Sequence, residues 1–254
     1  LSATVREPQS LADWLDVRSG AGEVRVLTAE GGVSADVDIL ISKQRIPWSG
    51  HSGRFAVPEV YEAIKKATMT LVFVNTRSQA ELMFQELWHA NEDGLPIALH
   101  HGSLAREQRT KVEAAMADGK LRALVCTASL DLGIDWGDID LVVQMGAPKG
   151  SSRLLQRIGR ANHRLDSPSE ALLVPGNRFE FLEAFAAQEA VHEGQRDGEG
   201  FRPGGLDVLA QHVMGRACAG PFTEAEVLDE VRSSAAYAWV DAAVLQRVLE
   251  FAAT

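Results

Sequence analysis

Residues 121–164, LRALVCTASLDLGIDWGDIDLVVQMGAPKGSSRLLQRIGRANHR, decide the reading of the fold. Leu121 to Thr127 is a short apolar, β-branched run that ends in a small polar residue. This is the pattern of a buried parallel strand whose carboxyl end opens into a site. Just past Cys126, Thr127, Ala128 and Ser129 offer hydroxyls and backbone N–H groups. Gly133 permits a close backbone approach before Asp135 presents a carboxylate, a combination suited to a phosphate and a sugar hydroxyl. Ile139 to Met145 reads as a second apolar strand. Beyond it Arg153, Arg157, Arg160 and Arg164 recur at steps of four, three and four. At about 100° per residue this places them on one stripe of a helix. Between Lys149 and Arg164 there are five basic residues and no acidic one, so the stripe is expected to lack acidic relief. For the arginines taken alone, a solvated basic helix beside an ordinary turn is the competing reading.

The same alternation continues upstream. Thr70 to Asn75 is an apolar strand leading into Thr76-Arg77-Ser78 and an amphipathic helix from Gln79 to Ala90. Ile97 to His100 is a strand followed by His101-Gly102-Ser103 and a helix from Arg106 to Ala117, stopped by Gly119. Ala171 to Val174 adds a last strand. Strands alternating with helices imply an α/β fold, with a parallel sheet, right-handed crossovers and helices on both faces. Ligand sites in such sheets lie at the carboxyl ends of the strands. Thr76, Arg77, His101, Gly102, Ser103, Thr127 and Ser129 all fall there, and any one alone reads equally well as a turn former. Together they supply the repeated N–H and hydroxyl donors that a tracked phosphate backbone needs. His100 and His101 have no further ligand at metal spacing nearby, so no metal site is expected.

Toward the amino end, Pro47 to Pro58, PWSGHSGRFAVP, reads as an irregular hinge, and Glu59 to Lys66 as a helix. Further upstream, a helix over Ser10 to Val17 is expected, with Ser10 as N-cap and Gly20 past its end. Val24 to Leu27 and Asp38 to Ser42 read as short strands. Beyond Glu193 a polar, Gly-rich loop precedes helix candidates at Leu206–Ala219, Thr223–Ser233 and Asp241–Ala252, the second opened by the capping box Thr223 to Glu226. That spacing suits either a small winged helix or a helical cap.

The 254 residues can bury a full core and make one or two domains. At 46% hydrophobic and 24% charged, with no apolar run near the ~20 residues of a membrane helix, a soluble cytoplasmic protein is expected. Cys126 and Cys218 are too few for a disulfide framework. A net charge of −10 argues against indiscriminate coating of nucleic acid but not against a local basic groove.

LVFVNTR at 71–77, LHHGSLAREQR at 99–109, LDLGIDWGDIDLVV and QRIGRANHR together resemble superfamily 2 helicases of the Lhr (large helicase-related) type, including the ligase-associated DEXH-box branch. The resemblance covers nearly the whole chain. It implies the tail of a first RecA-like domain at 1–45, a second RecA-like domain at 46–192 and the start of a winged helix at 193–254. The chain would stop before the β-wing is complete. It implies that Ser2 and Thr4 belong to an interdomain coupling motif, that Gly133 and Asp135 face ATP, and that Gln156, Arg157 and Arg160 act at the γ-phosphate, one arginine as a finger. Arg164 falls one position later than the family's final Gly-x-Arg pattern. Thr76, Arg77, His101, Gly102, Ser103, Thr127, Ser129 and Arg153 would hold nucleic acid.

The activity implied is ATP- and Mg²⁺-dependent 3′ to 5′ movement on single-stranded or partly duplex DNA. RNA or a DNA–RNA hybrid is the alternative substrate, and the expected associations are with a DNA ligase or nuclease and with the nucleoid. No G-x-x-x-x-G-K-[ST] occurs; Gly119-Lys120 lacks the upstream glycine and is followed by Leu121. The chain alone is therefore expected to be inactive, and a non-catalytic nucleic-acid-binding module is the rival reading.

Overall fold

The centre of the sheet is β2 (Thr70–Phe73), flanked by β5 (Leu141–Met145) and β4 (Ala123–Cys126). β6 (Glu170–Val174) and β1 (Asp36–Ile39) extend it on one side and β3 (Ile97–His100) on the other. The order is β1-β6-β5-β2-β4-β3, every pair parallel. This computed structural model describes residues 5–15, 24–28, 35–50, 52–131, 139–161, 169–198 and 202–253.

The inner strands β2, β4 and β5 are near-continuous buried runs because both faces of the sheet are covered there. Alternate side chains point opposite ways. Leu71, Phe73, Leu124, Cys126 and Leu173 join a core on one face with Met116 of α4 (Arg106–Ala117), Leu154 and Ile158 of α5 (Ser151–Ile158), and Ala184 and Val191 of α6 (Glu180–His192). Val72, Val74, Val125 and Val143 join the other, with Val60 and Ile64 of α2 (Val57–Lys66) and Met83 and Leu87 of α3 (Arg77–Ala90). Full burial of a side chain such as Phe73 contributes roughly 1.5–3 kcal/mol. α4 ends where expected, Gly119 adopting φ +65° so that Lys120 N–H reaches the Ala115 carbonyl at 2.9 Å. Asp140 fixes the entry to β2, its carboxylate accepting from the N–H groups of Thr68 (2.7 Å) and Met69 (2.8 Å).

The chain separates into two units, residues 1–4 with 30–197 and residues 5–29 with 198–254. Two expectations for the amino end are corrected here. β1 is hydrogen-bonded into this sheet beside β6, so residues 36–39 do not belong to a preceding domain. Residues 5–29 group instead with the C-terminal helices. α1 (Pro8–Leu15) begins at a proline, whose fixed φ and missing N–H suit the first helical position. Ser10 is therefore inside the helix, its hydroxyl donating to the Glu7 carbonyl at 2.9 Å, and is not the N-cap. Residues 24–28 form no strand.

The second unit also contains α7 (Leu206–Ala219), α8 (Glu224–Arg232) and α9 (Ala242–Ala252), packed through Leu209, Val213, Val227, Val231, Leu245 and Val248. The capping box is present: Thr223 Oγ1 accepts from Glu226 N–H (3.3 Å) and Glu226 Oε2 from Thr223 N–H (2.7 Å). Hydrogen bonds from the Thr223 backbone and side chain hold the Glu226 carboxyl below its ordinary range. Asp241 caps α9 by accepting from Val244 N–H at 2.8 Å.

Candidate nucleic-acid and nucleotide site

Because all six strands are parallel, their carboxyl ends share one edge, and the loops there collect the residues singled out above. After β2, Thr76 caps α3. Its hydroxyl oxygen accepts from Gln79 N–H (3.2 Å), while Gln79 Oε1 accepts from Thr76 N–H (3.1 Å). Arg77 is exposed at the first position of α3, in a turn with no acidic residue. A cation there opposes the helix dipole, which an arriving anion would offset. After β3, His101 is only 2% exposed, and its Nδ1 accepts from Ser103 N–H at 3.3 Å. The His101 ring therefore shapes the turn rather than facing solvent. Gly102 and Ser103 are exposed beside it. After β4, Thr127 is half-buried and Ser129 exposed.

The arginine stripe differs from its expected form. α5 ends at Ile158, so Arg160 lies in the turn beyond it. The stripe also has an acidic partner, supplied by another element. Asp131, 6% exposed, accepts from Arg157 Nε through Oδ1 at 2.9 Å and lies 3.7 Å from Arg153 Nε. Arg157 is 2% exposed, donates Nη1 to Gln144 Oε1 on β5, and lies 4.7 Å from the centroid of the Phe73 ring. Its guanidinium is committed inside the protein, which removes it as an ATP-facing finger. A buried ion pair must have such partners to offset the desolvation of both charges.

Arg160 is different. It is half-buried, its Nη2 donates to the Asp131 carbonyl at 3.1 Å, and its Nε–H is buried with no hydrogen-bond partner among the described residues. Arg153 is exposed and Gln156 half-buried on α5. Gly133, Asp135, Trp136 and Arg164, and Ser2 and Thr4, lie outside the described residues. Burial pushes the Cys126 thiol well above its ordinary value, which Arg157 offsets only in part, so it offers no thiolate.

Four residues that matter here carried no reading of their own or the wrong one. Asp131 lies four residues before Asp135, the carboxylate that the sequence favours. Gln144 interrupts the apolar run LVVQM, a polar residue on a strand buried on both faces, and that signal was available. His100 and Glu113 meet at 3.0 Å across 13 residues, with nothing local to announce it.

A RecA-like parallel sheet with a donor-lined carboxyl edge and an arginine helix after β5 is the architecture of the C-terminal half of a helicase core. Residues 56–164 match the helicase conserved C-terminal domain, and residues 189–254 the winged helix domain of large helicase-related protein. The ATP-dependent helicase Lhr-Core of Methanothermobacter thermautotrophicus is 34% identical over 93% of this chain. The structure of Mycobacterium smegmatis helicase Lhr bound to ssDNA and AMP-PNP superposes with a TM-score of 0.83 at 30% identity, over 98% of this chain. The DUF1998 helicase MrfA bound to DNA shares the fold, with a TM-score of 0.69 at 22% identity over 98% of this chain and 33% of its own. This chain spans 28% of the Lhr-Core protein and 33% of the M. smegmatis chain. The chain carries the helicase conserved C-terminal domain and the Lhr winged helix domain, and over nearly its whole length it is similar to a C-terminal part of the helicase core of large helicase-related (Lhr) proteins.

Proposed function

We propose that this chain is the second motor lobe, with part of a winged helix, of an ATP-dependent helicase moving 3′ to 5′ along single-stranded DNA. The observation that carries the reading is the contrast between two arginines. Arg157 is locked to Asp131 and Gln144, whereas Arg160 is steered by one bond to the Asp131 carbonyl and keeps a buried donor unused. As water attacks the γ-phosphorus and the bond to ADP breaks, charge builds on phosphoryl oxygens, and a planar, permanently charged guanidinium can meet it with two parallel bonds. Thr76, Arg77, Gly102, Ser103, Thr127 and Ser129 would hold successive phosphates of the strand, positioning it without reading bases.

Among the described residues no group of three or more His, Cys, Asp or Glu could hold a metal ion, and Mg²⁺ would be bound mainly by a first lobe outside this chain. The triphosphate grip would likewise come from residues outside this chain, which lacks a phosphate loop.

In the intact protein, Arg160→Lys should lower kcat for ATP on the order of 10³-fold while single-stranded DNA affinity stays nearly unchanged. Arg153→Ala should do the reverse, weakening binding and reducing the salt slope by roughly one at normal turnover. An Arg160→Lys enzyme with wild-type turnover would refute the finger assignment. Competition between DNA and RNA strands of the same sequence identifies the nucleic acid.

A further inference from the structure

His100 closes β3, 2% exposed, with both ring nitrogens engaged. Nε2 lies 3.0 Å from Glu113 Oε1 on α4, and Nδ1 lies 2.9 Å from Ser129 Oγ in the loop after β4. An ionised carboxylate only accepts, so Nε2 carries a hydrogen. Two states of the ring remain. When the ring is neutral, Nδ1 is a lone pair and draws the single Ser129 hydroxyl hydrogen inward. When it is charged, Nδ1–H donates to Ser129 Oγ, and the hydroxyl hydrogen is released toward solvent, where Ser129 is exposed. A phosphodiester oxygen only accepts, so Ser129 can donate to it in the second state alone.

We infer that His100 and Glu113 are a positioning pair that sets Ser129 as a phosphate donor, so that a backbone phosphate bound at Ser129 draws a proton onto His100. The inference rests on the nucleic-acid reading above and adds to it a linkage between strand binding and protonation. The groups around His100 fit this role. α4 presents Glu113 and, one turn earlier, Arg109, whose Nε is buried without a hydrogen-bond partner. On β4 its register partner is Cys126, kept neutral by burial. Asp131 is tied to Arg157, and the neighbouring His101 has Glu81 of α3 at 3.4 Å from its Nε2.

The test is binding of fluorescent oligo(dT) by the intact protein without nucleotide, from about pH 6 to about pH 8.5 at constant ionic strength, the range over which histidines change charge. Wild-type affinity should fall as pH rises, by at most about tenfold per pH unit for one linked proton. Ser129→Ala should bind more weakly at the acid end and lose that part of the slope. Glu113→Gln should also flatten the slope yet bind at the alkaline end at least as well as wild type. Its amide can donate to Nε2, moving the ring hydrogen to Nδ1 and freeing Ser129 at any pH. A merely structural contact makes Glu113→Gln weaker with the wild-type profile, and that result overturns the inference.

Ring ¹⁵N shifts of His100 in the unsubstituted protein give an independent readout. They should pass from the Nε2–H form to the doubly protonated form on adding oligo(dT) at fixed pH, and a ring unchanged on binding also overturns it. Absence of any strand binding brings down the nucleic-acid reading itself, whereas pH-independent binding by all three proteins brings down only this step.

Discussion

Buried polar side chains run through the sheet unit, from Ser42 to Glu180, whereas the described core of the helical unit, from Ala12 to Val248, is apolar throughout. Burying a polar group costs free energy unless it is fully paired, so a region needed only to hold helices together avoids it. The sheet unit accepts that cost at the carboxyl edge. There Asp131, Gln144 and Arg157 pin the loop after β4 to the start of the turn that carries Arg160. A second network ties Asn177 and Glu180 to that edge. Glu180 accepts from Gly176 N–H (2.7 Å) and Ala147 N–H (3.2 Å), and Asn177 donates to the Gly50 carbonyl (2.8 Å). In one unit, then, polar burial fixes loop geometry; in the other, apolar packing and surface caps suffice.

The comparison can be broken by removing one charge from the sheet unit. Asp131→Ala should destabilise that unit by about 3–5 kcal/mol in denaturant titration, because it leaves Arg157 charged and buried without its partner. Replacing both residues with apolar side chains of similar volume should restore most of that stability without restoring ATP turnover. If Asp131→Ala melts like the wild type, the node is not the organising contact described here. A smaller effect is expected in the helical unit, where Leu245→Ala, at 1% exposure, should cost about 2–4 kcal/mol by leaving a cavity. That loss should be independent of pH and salt, and a marked salt dependence would show that charge, not packing, holds α9.

The smallest effect sharpens the role of the caps. Hydrogen bonds from the Thr223 backbone and side chain hold the folded Glu226 carboxyl below the ordinary glutamate value of 4.5. Its stabilisation is therefore complete above that value and is lost as pH falls through the lower folded one. Glu226→Gln should make the helical unit's melting temperature flatter between about pH 5 and about pH 3, where carboxylates take up protons. An unchanged acid limb would assign it to other carboxylates.

Much of the fold was legible in the chain because period and punctuation agreed. Alternating apolar strands and helices, Gly119 after α4 and the Thr223 capping box are all local signals. Two of the amino-terminal errors arose where local signals compete. Ser10 is a good N-cap, but Pro8 starts the helix earlier. Val24 to Leu27 is apolar and β-branched in places, yet among the described residues no strand pairs with it. Of the site, the donor loops were legible because turn residues follow strands. The fates of individual side chains were not. Arg153, Arg157 and Arg160 are alike as letters, and only the carboxylate of Asp131, folded in from another loop, distinguishes the locked arginine from the available one. His101 reads as a loop residue and is buried, since nothing in HHGSL says which way the ring turns.

β1 carries a consequence for anyone dividing the molecule. Its residues precede the irregular segment at 47–58, yet Leu40 N–H still donates to the Leu173 carbonyl (2.8 Å) and Asp36 N–H to the Ser169 carbonyl (2.9 Å). The strand that borders this sheet comes from far upstream of its neighbour, so pairing it closes a very long loop, a step whose entropy must be overcome before the contact rewards it. A chain begun at residue 46 would lack that strand and leave one side of β6, EALLV, with a row of unpaired N–H and C=O groups beside apolar side chains. Such an edge is a template for pairing with another copy, so residue 46 is a misleading place to cut, and β1 is the guard against self-association.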